Sequence, residues 1–198
     1  MIAAAIAFRV LLAALAWWGL FAALGGDLAQ LKYFSQVTTL TVALTATVSV
    51  VALSAALDVT SPGWATALAW CRGGATTYAV VTAVIYQTLL SGDLSATSSL
   101  LEHAVVPALA VIDWVAFGPG LIGRRQAWWV PLTWLLLPIG YLAIYSGVRD
   151  RNGRPLYPFL DPGAGGRFWT WVGIMLLVFA ATGFLVWAVG RLRSRLGR

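Results

Sequence analysis

Cysteine and histidine are nearly missing from this 198-residue chain: Cys71 and His103 are the single instances of each. One cysteine excludes an intrachain disulfide and any cysteine-cluster metal site, and Cys71 is expected simply to pack against a neighbouring helix. One histidine excludes bis-histidine haem ligation within the chain, and without a His-Glu-x-x-His pair it argues against a zinc protease. There is no Gly-x-Ser-x-Gly elbow, which removes an α/β-hydrolase. No phosphate loop or dinucleotide fingerprint follows a strand. Neither a metal nor an organic cofactor is expected. Charge is scarce as well: 10% of residues are charged, against about a quarter in a soluble domain.

What remains is apolar. Hydrophobic residues make up 60% of the chain, more than a soluble protein can hide, so lipid must serve as part of its solvent. Apolar runs cover residues 3–24, 34–57, 68–90, 98–118, 128–146 and 168–190. Each is near the roughly 20 residues a helix needs to cross the hydrocarbon core. Turn residues punctuate them: Gly25-Gly26-Asp27, Ser61-Pro62-Gly63, Ser91-Gly92-Asp93, Gly118-Pro119-Gly120 and Asn152-Gly153. The ten-residue alternation of a membrane β-barrel is not seen, and no internal repeat suggests an inverted-repeat transporter. The expected fold is all-α: a polytopic bundle of six transmembrane helices forming one domain over 1–198. Arg9 interrupts the first run and no charged segment precedes it, so that run is expected to be an uncleaved first span rather than a signal peptide.

Thirteen basic residues exceed seven acidic ones, giving +6. The excess lies mainly in short loops and the C-terminal tail, without a basic groove interleaved with aromatics. Topology and lipid headgroups therefore explain it better than nucleic acid. Eight basic residues (Arg9, Arg72, Arg124, Arg125, Arg191, Arg193, Arg195 and Arg198) fall on one side. Five (Lys32, Arg149, Arg151, Arg154 and Arg167) fall on the other. The bias favours a multi-pass protein of the cell (plasma or inner) membrane with both termini cytoplasmic. Trp64, Trp70, Trp128 and Trp129 fit an inner aromatic belt, Trp169 and Trp171 an outer one.

Polar residues within apolar runs are costly, so their positions inform. In this topology Ser35, Gln36 and Thr38 open the second span, Glu102 and His103 open the fourth, and Tyr157 to Asp161 precede the sixth, all at the outer boundary. A hydroxyl nucleophile needs a base, and histidine is the usual one. Ser35 and His103 are thus a possible dyad, with Thr38 as the fallback nucleophile. The competing reading makes His103 an ordinary interfacial histidine bonded to a backbone carbonyl. Glu102, on a different helical face, is a poor partner for the imidazole. Asp93, Asp161 or Tyr157 could orient it through loop folding. Ser35, Thr38, Thr45 and Ser49 approximate one helical stripe, and for Thr45 and Ser49 close helix packing is the better account. About 15 Å beyond His103, at 1.5 Å per residue, Asp113 reaches the depth of Arg9 and Arg72. A buried ion pair would solve the burial problem for these charges and lock three spans in register.

These landmarks resemble the androgen-induced membrane hydrolase family (androgen-dependent TFPI-regulating protein-like) in its shorter bacterial six-helix branch. The matching residues are Tyr157-Pro158-Phe159-Leu160-Asp161 with Gly163 and Gly165-Gly166-Arg167, then His103-Ala104-Val105-Val106-Pro107 with Asp113-Trp114. Lys32-Tyr33-Phe34-Ser35 and Val81-Thr82-Ala83-Val84-Ile85-Tyr86 add to them. They run in order over most of the chain. The resemblance implies an intramembrane hydrolase of lipid esters, such as fatty acid esters of hydroxy fatty acids, using a threonine and a histidine. The histidine carries over to His103 and the threonine to Ser35, a serine here. Gln36, Tyr86, Tyr157 and Asp161 become supporting or substrate-binding residues. The expected partners are membrane lipids and a lipophilic ester substrate. The rival is a non-catalytic lipid- or small-molecule-binding protein, or a partner subunit.

Overall fold

The structure is a computed structural model describing residues 2–54, 62–90, 92–118 and 126–196. Ser61, Ser91, Pro119, Gly120, Arg124, Arg125, Arg198 and the end of the second apolar run lie outside the described residues. The described chain is all-α, as expected, without a strand beyond one isolated bridge between Arg149 and Pro155.

Its helices are α1 (Ile2–Leu24), α2 (Phe34–Ser54), α3 (Pro62–Leu89), α4 (Thr97–Phe117), α5 (Val130–Thr133), α6 (Leu136–Tyr145) and α7 (Gly166–Leu196). Four of them are long and apolar enough to cross a membrane: α1, α2, α4 and α7. Large apolar side chains such as Phe21, Leu177 and Leu185 stand exposed on their outer faces, where lipid can take the place of a protein core.

The other two expected spans depart from the pattern for identifiable reasons. The run 128–146 is not one helix. Pro131 and Pro138 interrupt it, leaving α5 and α6 joined by a turn at Trp134 and Leu135. Pro138 has no N–H to offer the carbonyl four residues back. That carbonyl, of Trp134, instead accepts the Tyr78 hydroxyl proton at 2.8 Å.

α3 is 28 residues long, so length is not its shortfall. It falls outside the apolar set because it is the polar centre of the bundle. Residues 72–79 are buried without interruption, and the hydroxyls of Thr76 and Thr77 bond back to the carbonyls of Arg72 and Gly73. Small residues let neighbours in: Gly73 and Gly74 lie against Trp134, and Gly190 of α7 lies against Trp114. The Trp114 indole is fixed by donating to the Val186 carbonyl at 2.7 Å.

At the other level of α3, Arg72, Arg9 of α1 and Asp113 of α4 come together. Arg9 Nε meets Asp113 Oδ1 at 2.9 Å, and Arg72 meets Oδ2 through Nε at 3.0 Å and Nη2 at 2.6 Å. Arg72 also donates to the Gly118 carbonyl at 2.7 Å, closing the C-terminal end of α4. All three side chains are buried. Thr45 and Ser49 line the same spot, and the Ser49 hydroxyl donates to the Thr45 carbonyl.

An apolar cavity between helices

The first turn of α2 is built from outside the helix. Asp27 caps a short 3-10 turn, Leu28–Lys32, through the Ala29 N–H at 2.9 Å. Tyr33 is then extended, and α2 starts at Phe34. A helix leaves its first N–H groups without internal acceptors. Here the Phe34 N–H donates to the Tyr157 hydroxyl at 2.8 Å, across 123 residues of sequence. The Tyr141 hydroxyl donates to the Lys32 carbonyl at 2.6 Å. The Phe34 ring sits edge-on to Tyr78, Tyr141 and Phe179. Ser35 and Gln36 are thereby held at a fixed place on the wall of a cavity.

That cavity has a volume of about 440 Å³. Its wall is made by the start of α2, by Val81 to Tyr86 of α3 and Leu90 just past its end, by His103 of α4, by Pro138 to Leu142 around α6, by Leu156 to Leu160, and by α7 from Val172 to Phe179. Ser35, Gln36, Tyr86, His103 and Tyr157 all face it. Burial pushes the Tyr157 phenol above its usual range, so it stays neutral.

His103 owes its setting to a proline. Pro107 lacks the N–H that would serve the His103 carbonyl in an α-helix. Here the chain relaxes into a π-helical turn, Leu101–Val105, in which the Val106 N–H reaches back to Leu101. Such turns in an α-helix often mark functional sites. Leu101, Glu102 and His103 are consecutively buried in it. The imidazole lies flat on the Tyr86 ring, 3.6 Å between centroids and 3° from parallel. Tyr86 is anchored by the Asp93 carbonyl at 2.6 Å and Ser99 Oγ at 2.7 Å. His103 Nδ1 is buried and has no hydrogen-bond partner among the described residues.

Ser35 Oγ does not hydrogen-bond to His103. It donates to Gln36 Oε1 at 2.9 Å, and Gln36 Nε2 donates to Glu102 Oε2 at 3.3 Å. Glu102 lies against Gly19 of α1. It is therefore linked to Ser35, through Gln36, rather than to the base beside it. Sequence reasoning set Glu102 aside. The signal available was Pro107, which alters the turn carrying it.

Two other expected residues stand apart from the cavity. Thr38 is buried, and its hydroxyl pairs with that of Thr82 at 3.1 Å; it joins α2 to α3 and does not face the cavity. Asp161 caps a second 3-10 turn through the Gly163 N–H at 3.0 Å and pairs with Arg149 at 3.0 Å. Its neighbour Leu160 reaches the cavity instead. Asp93, the other acid considered for orienting the imidazole, bonds the Ser95 N–H at 2.9 Å. Among the described residues no three of His, Cys, Asp and Glu are grouped to hold a metal ion.

No protein-family model matches the chain, and no characterised protein or solved structure is detectably similar to it.

Proposed function

We propose that the chain is a six-span protein of the cell membrane, both termini cytoplasmic, that hydrolyses lipid esters with Ser35 as nucleophile and His103 as base. The resemblance to the androgen-induced membrane hydrolases belongs to this proposal. One observation carries it: the chain's one histidine and Ser35, 68 positions apart in the sequence, face the same largely apolar cavity.

In this reading an ester lies in the cavity with its carbonyl beside Ser35. Rotation of the serine side chain takes Oγ from Gln36 toward the carbonyl carbon. The Oγ–C bond forms as the Oγ proton passes to the imidazole, and the carbonyl electrons move onto its oxygen. Collapse expels the alcohol, which leaves with the imidazole's proton. Water then attacks the acyl-enzyme, gives its proton to His103, and Ser35 recovers that proton as the fatty acid leaves. The Ser35 and Gln36 amides, in the first turn of α2, are suited to meet the oxyanion.

A second reading has an observation of its own. Ser35 spends its proton on Gln36, and no hydrogen bond joins it to the base. A non-catalytic lipid carrier would look the same. A lipid-like fluorophosphonate separates the two. The hydrolase labels, and Ser35→Ala and His103→Ala each abolish labelling. Equal labelling of both variants and the wild type sinks the dyad.

A further inference from the structure

We infer that the cavity selects an uncharged lipid, and excludes esters that bring an ionised headgroup or free carboxylate inside. The inference rests on the hydrolase reading for the word ester, but the selectivity belongs to the cavity itself. Among the described residues, 21 side chains line it and none is lysine, arginine, aspartate or glutamate. An anion drawn inside would find no lysine or arginine to pair with, and stripping its water costs several kcal/mol unless a partner replaces it.

The polar capacity of the wall is also largely committed elsewhere. The Tyr86 hydroxyl bonds Asp93 and Ser99, the Tyr141 hydroxyl bonds the Lys32 carbonyl, and the Tyr157 oxygen receives the Phe34 N–H. The Thr82 hydroxyl pairs with Thr38. The other polar side chains on the wall are those of Tyr33, Ser35, Gln36 and His103, with Ser35 bonded to Gln36. The opposite wall is aliphatic and aromatic, with Met175 and Phe179 of α7 facing Val81 and Ile85 of α3.

The volume, about 440 Å³, is that of a pocket for a small lipophilic ligand. Lys32 lies beside the cavity, over the Tyr33 ring at 5.5 Å, without lining it. A hydroxy-fatty-acid ester would have to leave its carboxylate there, outside.

The test uses the Ser35→Ala protein in phosphatidylcholine nanodiscs, so that binding is read without turnover. The probes are 1-myristoylglycerol and its 3-phosphate, which share a chain and differ in charge. The monoacylglycerol is expected to raise the unfolding midpoint, followed by tryptophan fluorescence, and to bind at least roughly tenfold more tightly than the phosphate. Leu176→Trp, which fills the cavity, is expected to remove the shift. Equal or tighter binding of the phosphate overturns the inference, and so does a shift from neither lipid. A shift that survives in folded Leu176→Trp places the ligand elsewhere and overturns it too; if that variant does not fold, the pair of probes decides. Neutral selectivity without fluorophosphonate labelling would leave the inference standing and remove the enzyme reading. Labelling with equal binding of both probes would do the reverse.

Discussion

Tyr86 and His103 lie face to face, 3.6 Å apart and within 3° of parallel. A catalytic histidine is usually held by a carboxylate on its second nitrogen. The His103 ring is instead held by its face, against a ring anchored at its hydroxyl.

Because the chain has one histidine, its imidazole proton signals are unambiguous. They are expected well upfield in the wild type from the Tyr86 ring current. Tyr86→Phe should keep most of the shift, and Tyr86→Leu should lose it with at least a tenfold drop in fluorophosphonate labelling rate. Ordinary imidazole shifts in the wild type would disprove the stack.

Asp113 carries two arginines, so its loss leaves two buried cations uncompensated. Asp113→Ala is expected to cost about 3–5 kcal/mol, read as a lowered unfolding midpoint in detergent. Loss of under 1 kcal/mol would show that the cluster does not hold α1, α3 and α4 together.

A Cβ on Gly190 would lie 2.6 Å from Trp114 Cζ2, whereas one on Gly173 of the same helix meets nothing within 4 Å. Gly190→Ala should destabilise by about 1–3 kcal/mol through overpacking. Gly173→Ala should stabilise by up to about 1 kcal/mol, the ordinary helical preference for alanine. Similar effects at both positions would contradict the packing described.

Glu102 is buried beside Thr39, and among the described residues its Oε1 has no partner within hydrogen-bond distance. Glu102→Gln keeps an acceptor for Gln36 and removes the ionisable group, so the unfolding midpoint should rise. If the Ser35–Gln36–Glu102 chain sets the nucleophile, labelling should slow in the same variant. A more stable variant with unchanged labelling would make Glu102 a structural residue.

The segment 147–165, which gives Leu156 and Leu160 to the cavity wall, depends on pH through its own Asp161 and through Asp27, the partner of Arg151. The Ala29 N–H first, then Gln30 and Arg151, hold the Asp27 carboxyl below its usual 3.8. The Gly163 N–H, then Arg149, do the same for Asp161. A carboxyl depressed by folding contributes stability that is present above the ordinary value and lost as pH falls through the lowered one. Amide protection over residues 147–165, taken relative to the intrinsic exchange rate at each pH, is therefore expected to fall only below about pH 3.8. Protection already falling at pH 5 would rule these contacts out as its cause.

The helical class was legible because long apolar runs state it directly, and α1, α2, α4 and α7 lie close to their expected bounds. The depth at which Arg9, Arg72 and Asp113 meet was legible from a rise of about 1.5 Å per residue. The broken fifth run was not read, although Pro131 and Pro138 were in view, because length alone decided it. The Gln36–Glu102 link was hidden for another reason. It needs the π turn at Leu101–Val105, and helical periodicity assumes an unbroken α-helix. The Tyr157 cap on α2 joins residues 123 apart, and no local pattern announces such a contact.

The polarity of α3 bears on how the protein is made. An arginine costs up to about 2.5–3.5 kcal/mol on inserting a helix, most at its centre and less toward an end, and Arg72 adds such a cost to α3. Asp113, which offsets it, is synthesised about forty residues later. On the six-span reading, α3 emerges before its partner exists, so it cannot settle in lipid as an independent segment. It has to wait at the translocon, or lean on Arg9-bearing α1 and on α2, until α4 arrives. Membrane integration of this chain is then a cooperative event of its first four helices, and a chain truncated ahead of Asp113 should leave α3 outside the bilayer.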